Sequence, residues 1–157
     1  MILCFTCFSN ARVTPPEKIQ QLESILKKRQ GSALPSSHQI LLDLKVDLAK
    51  VYDTYSPNLD TCHRRLELLR ERLAILNKLE GEETDSRLKG FLLFRLHNLL
   101  VEKVAHLQRK NALNEAVLKE IGPEIGLSLK ESARILLHDQ GCPPQLTETI
   151  SKLAKGL

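Results

Sequence analysis

Apolar residues recur along the chain at intervals of three and four, and this spacing predicts helices. The most apolar stretch is residues 86–101, where leucine and phenylalanine cover most of the circumference of the predicted helix. Asp85 or Ser86 is its expected N-cap. Because a helix that is apolar on nearly all sides must be covered on several sides, we expect this stretch to form the central helix.

Two amphipathic helices are predicted before residue 57. The first begins at Thr14 and the two prolines after it, and it ends near Gly31. The second begins after Ser36 and Ser37 and ends at Ser56. Hydroxyl side chains favour helix N-caps and proline favours the first helical turn, so both starts have a local physical cause.

The third predicted helix carries the most regular apolar stripe of the chain. The stripe follows a heptad through Leu59, Cys62, Leu66, Leu69, Leu73 and Leu76. A heptad can pair with a second chain as a coiled coil, or it can pack against neighbouring helices of the same chain. Because the stripe lasts only about three heptads, we favour packing within the chain.

The helical pattern after the central helix is interrupted at Gly122 and Pro123. Proline has no N–H to donate and crowds the preceding turn, so we expect a kink or a break there. Helical spacing resumes at Ile125 and ends before Gly141, a residue type that suits a helix C-terminus. Pro143 and the proline after it predict the start of a last helix.

These elements predict an all-α fold of six or seven antiparallel helices in a tetratricopeptide-like stack. The Trp, Gly, Tyr and Ala landmarks of true tetratricopeptide repeats do not recur, so the architecture is repeat-like only. We assign residues 1–15 to an N-terminal tail and residues 16–157 to one helical interaction domain.

Composition and charge agree with an intracellular interaction domain. Of 157 residues, 42% are hydrophobic and only 4% are aromatic, and leucine dominates the apolar total, as in helix-on-helix packing. The net charge of +4 is spread among acidic residues without a basic stripe, so no nucleic-acid binding is expected. No apolar run reaches the roughly 20 residues of a membrane span, and we expect neither membrane association nor secretion. Few cysteines indicate a reducing compartment, either cytoplasmic or nuclear.

Cys4 and Cys7 form a Cys-x-x-Cys pair in the tail, which is half of a tetrahedral zinc site. No second pair follows in the chain, so a complete site needs ligands from outside, and chance spacing is an equal alternative. Zinc at this pair is the only cofactor that the sequence suggests.

Candidate catalytic chemistry is sparse. The five histidines are scattered, and neither a nucleophile elbow nor a glycine-rich phosphate loop is present. Arg95 and His97 are polar residues inside the most apolar helix, so each must enter a groove, reach an internal partner or emerge at a seam. We favour internal hydrogen bonding and keep both as candidate partner-binding residues.

Three stretches in order, residues 37–45, 86–97 and 129–146, resemble the C-terminal helical region of SET and MYND domain lysine methyltransferases, most closely a divergent arthropod branch. The likeness covers roughly residues 37–150. The marker Arg87-Leu88-Lys89-Gly90 is similar to the Arg-Leu-Arg-Gly of the family. Phe94 stands where the family has tyrosine, and Arg95 stands where it has glutamate.

This resemblance implies a tetratricopeptide-like domain that flanks the methyltransferase cleft and engages partner proteins. Catalysis in the family belongs to the SET domain, whose Gly-x-Gly turn and Asn-His-x-Cys motif are absent from this chain, as is the MYND zinc cluster. Cys4 and Cys7 would then be the last pair of the zinc-binding segment that follows SET.

Three hypotheses about function follow. The first is a non-catalytic helical protein-interaction domain from a SET and MYND-type protein, which we expect to be a monomer. The second is a fragment of an S-adenosylmethionine-dependent protein-lysine methyltransferase that lacks its SET domain. The third is a self-associating coiled-coil adaptor built on the heptad of residues 59–76.

Overall fold

The computed structural model describes residues 14–30, 38–55, 59–81 and 84–156. These residues form six helices and no strand, which confirms the all-α prediction. The helices are α1 (Pro15–Gln30), α2 (Gln39–Tyr55), α3 (Leu59–Glu80), α4 (Arg87–Arg109), α5 (Glu115–Leu136) and α6 (Pro144–Ala154).

The chain divides into two compact units, an N-terminal unit of residues 1–56 and a C-terminal unit of residues 57–157. In the N-terminal unit, α1 contacts α2, and the Tyr52 hydroxyl donates a 3.1 Å hydrogen bond to a Glu23 carboxylate oxygen. The start of α1 is as predicted, because the Thr14 backbone N–H donates to Glu17 at 2.8 Å. This carboxylate accepts from a backbone donor at the helix start, as in one half of a capping box.

In the C-terminal unit, α4 lies between α3 and α5 and contacts both, while α6 packs against α5. The core between α3, α4 and α5 consists of Cys62, Leu66, Leu69, Leu73, Leu92, Leu96, Leu99, Leu100 and Ile121. The central position of the helix around residue 92 is therefore confirmed within this unit. The α3 heptad is used in packing against α4, as we favoured.

Helices α4 and α5 run antiparallel and come close together at Gly90. A Cβ atom placed on Gly90 would lie 2.7 Å from Leu136 Cδ2 and 3.0 Å from Ile135 Cγ2. Further along the pair, His97 of α4 meets Ile125 of α5. Gly90 thus lets the start of α4 lie against the end of α5 at a distance that any side chain would prevent.

Of the kink or break expected at Pro123, the break is wrong, because α5 continues from Glu115 to Leu136 as one helix. Gly122 before the proline has no Cβ, so it avoids most of the clash that disfavours helical backbone at this position. Ile121 and Leu129, on either side of Pro123, are buried, and this packing opposes the loss of one helical hydrogen bond. The continuous α5 is the reason why six helices form rather than seven.

Local signals set the ends of α4. The Ser86 hydroxyl accepts a 3.2 Å hydrogen bond from the Lys89 N–H, so Ser86 rather than Asp85 is the N-cap. After α4, Asn111 adopts a left-handed conformation with φ 53°, which asparagine tolerates better than most residues. None of the helices in the described ranges has the length and apolar character needed to cross a bilayer.

Candidate interaction groove

His97 is turned into the C-terminal unit. The residue is 7% exposed, and its Nδ1 lies 3.1 Å from the Ile125 carbonyl oxygen. Because a carbonyl oxygen only accepts, Nδ1 must carry the hydrogen of this bond. The imidazole also stacks on Phe94 with a ring separation of 6.3 Å. Internal hydrogen bonding is thus observed, and a partner-binding role for His97 stays a prediction.

The other predicted site residues are less well defined by the structure. Arg95 is half-buried, and burial lowers the pKa of its guanidinium, so its role in partner binding stays a prediction. Cys4 and Cys7 lie outside the described residues. Within the ranges described, no group of three or more His, Cys, Asp or Glu side chains is placed to hold a metal ion.

A partly buried polar network links α3 to α4. Arg65, 8% exposed, donates a 2.9 Å hydrogen bond to Glu102, and His106 Nε2 lies 3.5 Å from the same carboxylate. On the other side of the ring, Arg109 approaches His106 Nδ1 at 3.3 Å. Each charged group of this network faces an opposite or hydrogen-bonding partner, which is what a structural network requires.

Cys62, one turn before Arg65, is a nucleophilic residue type in an unreactive setting. Its thiol is fully buried and donates to the Leu99 carbonyl at 3.6 Å. Burial and then the nearby Glu102 raise the pKa of this thiol. Because the thiolate is the nucleophile, Cys62 is a packing residue in this fold.

A cleft of about 410 Å³ lies where α4 begins and α5 ends. Two arginine–aspartate pairs line it: both Asp139 oxygens accept from Arg87, and both Asp85 oxygens accept from Arg134. Arg134 also donates to Glu131 at 2.9 Å. These arginines hold the pKa values of both aspartates below the ordinary range.

The charged side chains of this cleft pair with one another. We call the two pairs, Arg87–Asp139 and Arg134–Asp85, the charge clamp. It joins the residues before and at the start of α4 to the end of α5 and the turn after it. Gly141 in that turn lies against the Arg87 guanidinium, and a Cβ there would be 1.9 Å from Nη2. The clamp therefore holds the turn that leads into α6 against the start of α4.

Helix α6 packs against the end of α5. Ile150 of α6 is buried in a cluster with residues of α5, and Phe91, Leu93 and Phe94 at the start of α4 pack against this cluster. Because α6 has 11 residues and α4 has 23, their lengths are about 16 Å and 34 Å. Helix α4 is thus about twice as long as α6.

Beyond this cluster lie positions of α4 and α5 that we call the α4–α5 groove, defined by Val101, Ala105, Leu118, Gly122 and Gly126. Val101 is 45% exposed and Leu118 is 44% exposed. No atom outside the adjoining chain lies within 4 Å of an ideal Cβ at Gly122 or Gly126. These positions of α4 and α5 are therefore accessible and carry no charged side chain.

Sequence reasoning did not identify this groove. The signal was present in two features: a last helix half as long as its neighbours, and two glycines four residues apart in α5. We interpreted Gly122 as part of a helix interruption, which hid its position on the same face as Gly126.

Comparisons with known proteins provide no relative for this chain. No family model matches the sequence, and no match was found among curated proteins or among solved structures.

Proposed function

We propose that the chain is a non-catalytic helical module that binds other proteins through the α4–α5 groove. The observation that carries this proposal is that Val101 of α4 and Leu118 of α5 stay exposed beyond the cluster in which α6 packs. Exposed apolar side chains on packed helices are a surface to which the apolar face of a partner can bind.

The placement of the chemically capable residues supports an interaction role. The Cys62 thiol, the His97 imidazole and the Glu102 carboxylate each take part in a hydrogen bond that holds two helices of the C-terminal unit together. Their contribution is to the shape of the module.

The direct test is photo-crosslinking in cells, with p-benzoylphenylalanine placed at position 101. We expect the full chain to crosslink to a defined protein. The matched control carries the same group at position 127, because Leu127 is 61% exposed and lies on the outer side of α5. Crosslinks of equal pattern from both positions, or none from position 101 in a folded chain, would contradict the proposal.

We also propose that the module derives from a SET and MYND-type protein, as the resemblance of residues 37–150 suggests. The alternative is a fragment of a protein-lysine methyltransferase that acts only together with its SET domain. Upstream coding sequence separates the two hypotheses: an in-frame Gly-x-Gly and Asn-His-x-Cys would support the fragment hypothesis.

We also propose that Cys4 and Cys7 bind zinc with ligands from outside this chain. The metal content of the purified chain tests this, with the variants Cys4→Ser and Cys7→Ser as controls.

The coiled-coil adaptor is the second candidate function. Its apolar stripe, Cys62 to Leu73, is buried in the core that α3 shares with α4. Pairing with a second chain through this stripe would therefore require α4 to move away. Analytical sedimentation measures the oligomeric state of the full chain. A monomer at high concentration would contradict the coiled-coil adaptor hypothesis.

A further inference from the structure

We infer that His106 is a proton-operated latch at the end of α4. The neutral imidazole holds the Arg109 guanidinium against the helix, and protonation of the ring releases Arg109 into solvent. The latch is independent of the α4–α5 groove, because it concerns the charge carried by the turn between α4 and α5.

The His106 ring lies between an anion and a cation of its own helix. Its Nε2 lies 3.5 Å from Glu102 Oε1, and its Nδ1 lies 3.3 Å from Arg109 Nη2. A guanidinium can only donate, so Nδ1 must accept in this contact. The hydrogen of the neutral imidazole is therefore on Nε2, toward the Glu102 carboxylate. The neutral ring thus suits both neighbours at once.

Protonation of the ring reverses only one of these two contacts. A proton taken from solvent binds to the Nδ1 lone pair, and no other bond forms or breaks. The imidazolium N–H would then face a guanidinium N–H at 3.3 Å, which places two donors and two like charges together. On its other side, the imidazolium forms an ion pair with Glu102. The contact with Arg109 is thus lost while the contact with Glu102 becomes stronger.

Burial decides which group moves. Glu102 is held from α3, because the buried Arg65 donates to its Oε1 at 2.9 Å. The His106 side chain is only 17% exposed, so packing restricts its ring. Arg109 is exposed, and its other bond, from Nε to the Ala105 carbonyl oxygen, is long at 3.3 Å. Arg109 is therefore the group that leaves.

Few other charges act on the His106 ring. From α3, Arg65 faces it through Glu102, and the Cys62 thiol is close enough to Glu102 and Arg65 for both to influence its pKa. On α4, Lys103 follows Glu102 in the chain. Among the residues that the structure describes, no charged group of α5 or α6 pairs with His106 or Glu102. The response to a proton is thus set by Glu102, Arg65 and Arg109.

The position of the latch gives the proton a consequence at the surface. Arg109 is the last residue of α4, Lys110 is the C-cap, and Asn111 begins the turn to α5. Protonation adds one positive charge at His106 and frees the guanidinium of Arg109 beside Lys110. Histidine is the side chain that ordinarily titrates between about pH 5 and 8. The turn therefore presents more positive charge to anionic groups as the pH falls through this range.

Nitrogen NMR of the full chain tests the latch directly. At a pH of about 8 we expect the His106 ring hydrogen on Nε2, and as the pH falls to about 5 the Arg109 Nε signal should shift in step with the ring. The Arg109 signal is assigned from its loss in Arg109→Gln. His106→Gln should remove the step, and His63→Gln, which removes an exposed histidine of α3, should keep it. A neutral ring with its hydrogen on Nδ1, or an Arg109 signal that does not follow the ring, overturns the inference.

A double-mutant cycle measures the same contact as an equilibrium. His106→Ala, Arg109→Ala and the double variant are unfolded in urea at both pH values, and the cycle cancels the packing that each substitution removes. At the higher pH the pair should decrease the unfolding equilibrium constant about threefold, as a hydrogen bond does, and at the lower pH the sign should reverse. A coupling that is equal at both pH values would contradict the latch, whatever the stability of the single variants.

Discussion

At the residue scale, the glycines of α4 and α5 occupy opposite environments. Gly90 faces the side chain of the fully buried Leu136, whereas the space around Gly126 is open. The same substitution should therefore change stability in opposite directions at these two positions.

Gly90→Ala is expected to lower the free energy of unfolding of the C-terminal unit. Alanine favours a helix over glycine by about 1 kcal/mol, but forcing a Cβ to within 2.7 Å of Leu136 costs roughly 1–3 kcal/mol. Gly126→Ala meets no such contact and should raise the free energy of unfolding by about 1 kcal/mol. Urea denaturation of both variants measures this, and stabilisation by Gly90→Ala would show that α4 and α5 lie farther apart.

Ser132 offers a second test at this scale. It is fully buried on α5, and its hydroxyl has no hydrogen-bond partner in the described residues. Ser132→Ala removes an unsatisfied polar group and improves helix propensity, so the free energy of unfolding should rise by about 1 kcal/mol.

The matched control for Ser132 is Ser128→Ala. The Ser128 hydroxyl donates to the Ile125 carbonyl at 3.1 Å, so its removal loses a hydrogen bond and should give no gain. Thermal melts of the two variants suffice, and equal shifts in melting temperature would indicate that Ser132 has a partner after all.

At the element scale, α5 shows how packing overrides a local signal. Pro123 lacks the N–H that a helix interior uses, yet α5 passes through it because Ile121 and Leu129 are buried on either side. Pro123→Ala should restore the bond to the Lys119 carbonyl and raise the free energy of unfolding by about 2 kcal/mol, less the entropy that proline removes from the unfolded chain. Hydrogen exchange around residue 120 should slow in this variant, and unchanged exchange would argue against a strained turn.

The charge clamp predicts an acid-sensitive contact between elements. Arg87 and then the Gly141 N–H lower the pKa of Asp139, and Arg134 lowers the pKa of Asp85, from an ordinary value of 3.8. A lowered pKa in the folded state means that the stabilisation is complete above pH 3.8 and is lost as the pH falls through the lowered value.

The melting temperature of the unmodified chain should therefore exceed that of Asp139→Asn at neutral pH, and the gap should narrow as the pH falls from 4 to 2. The variant Arg87→Gln, which leaves Asp139 in place without its cation, is the control and should lie close to Asp139→Asn at neutral pH. A gap that stays constant over this range would show that Asp139 stabilises by something other than its charge.

At the scale of the whole molecule, the two units differ in how much helical structure each should keep as a separate fragment. The C-terminal unit has four helices with a shared core between α3, α4 and α5, whereas the described part of the N-terminal unit consists of two helices of 16 and 17 residues. Most helical stability in proteins comes from tertiary packing, and two helices offer each other little of it.

We therefore expect a fragment of residues 57–157 to unfold cooperatively and to retain its helical circular dichroism. A fragment of residues 1–56 should lose most of its helical signal. A cooperative transition in the shorter fragment would show that α1 and α2 bury enough surface without the rest of the chain.

The features that were predicted correctly depend on residues that are close together in the sequence. The helical class, the cap at Ser86 and the inward role of His97 all follow from periodicity and polarity within one helix. The close approach at Gly90 and the continuity of α5 depend on residues more than 40 positions away or on burial by other helices. The groove was missed because it depends on where α6 ends, and because Gly122 was interpreted as part of a helix interruption.

The two buried thiols of the C-terminal unit have a practical consequence. Cys62 is sealed between α3 and α4, and Cys142, 8% exposed, lies in the turn that Arg87 and Asp139 hold. An alkylating reagent reaches each only when its surroundings open, so in a chain with the other cysteines replaced, the modification rate of a single thiol is a local opening rate. We expect Cys142 to be alkylated faster than Cys62, because the α5–α6 turn can detach while the α3–α4 core stays closed. The alkylation rate of Cys142 thus measures the opening of the α5–α6 turn, and that of Cys62 measures the opening of the α3–α4 core.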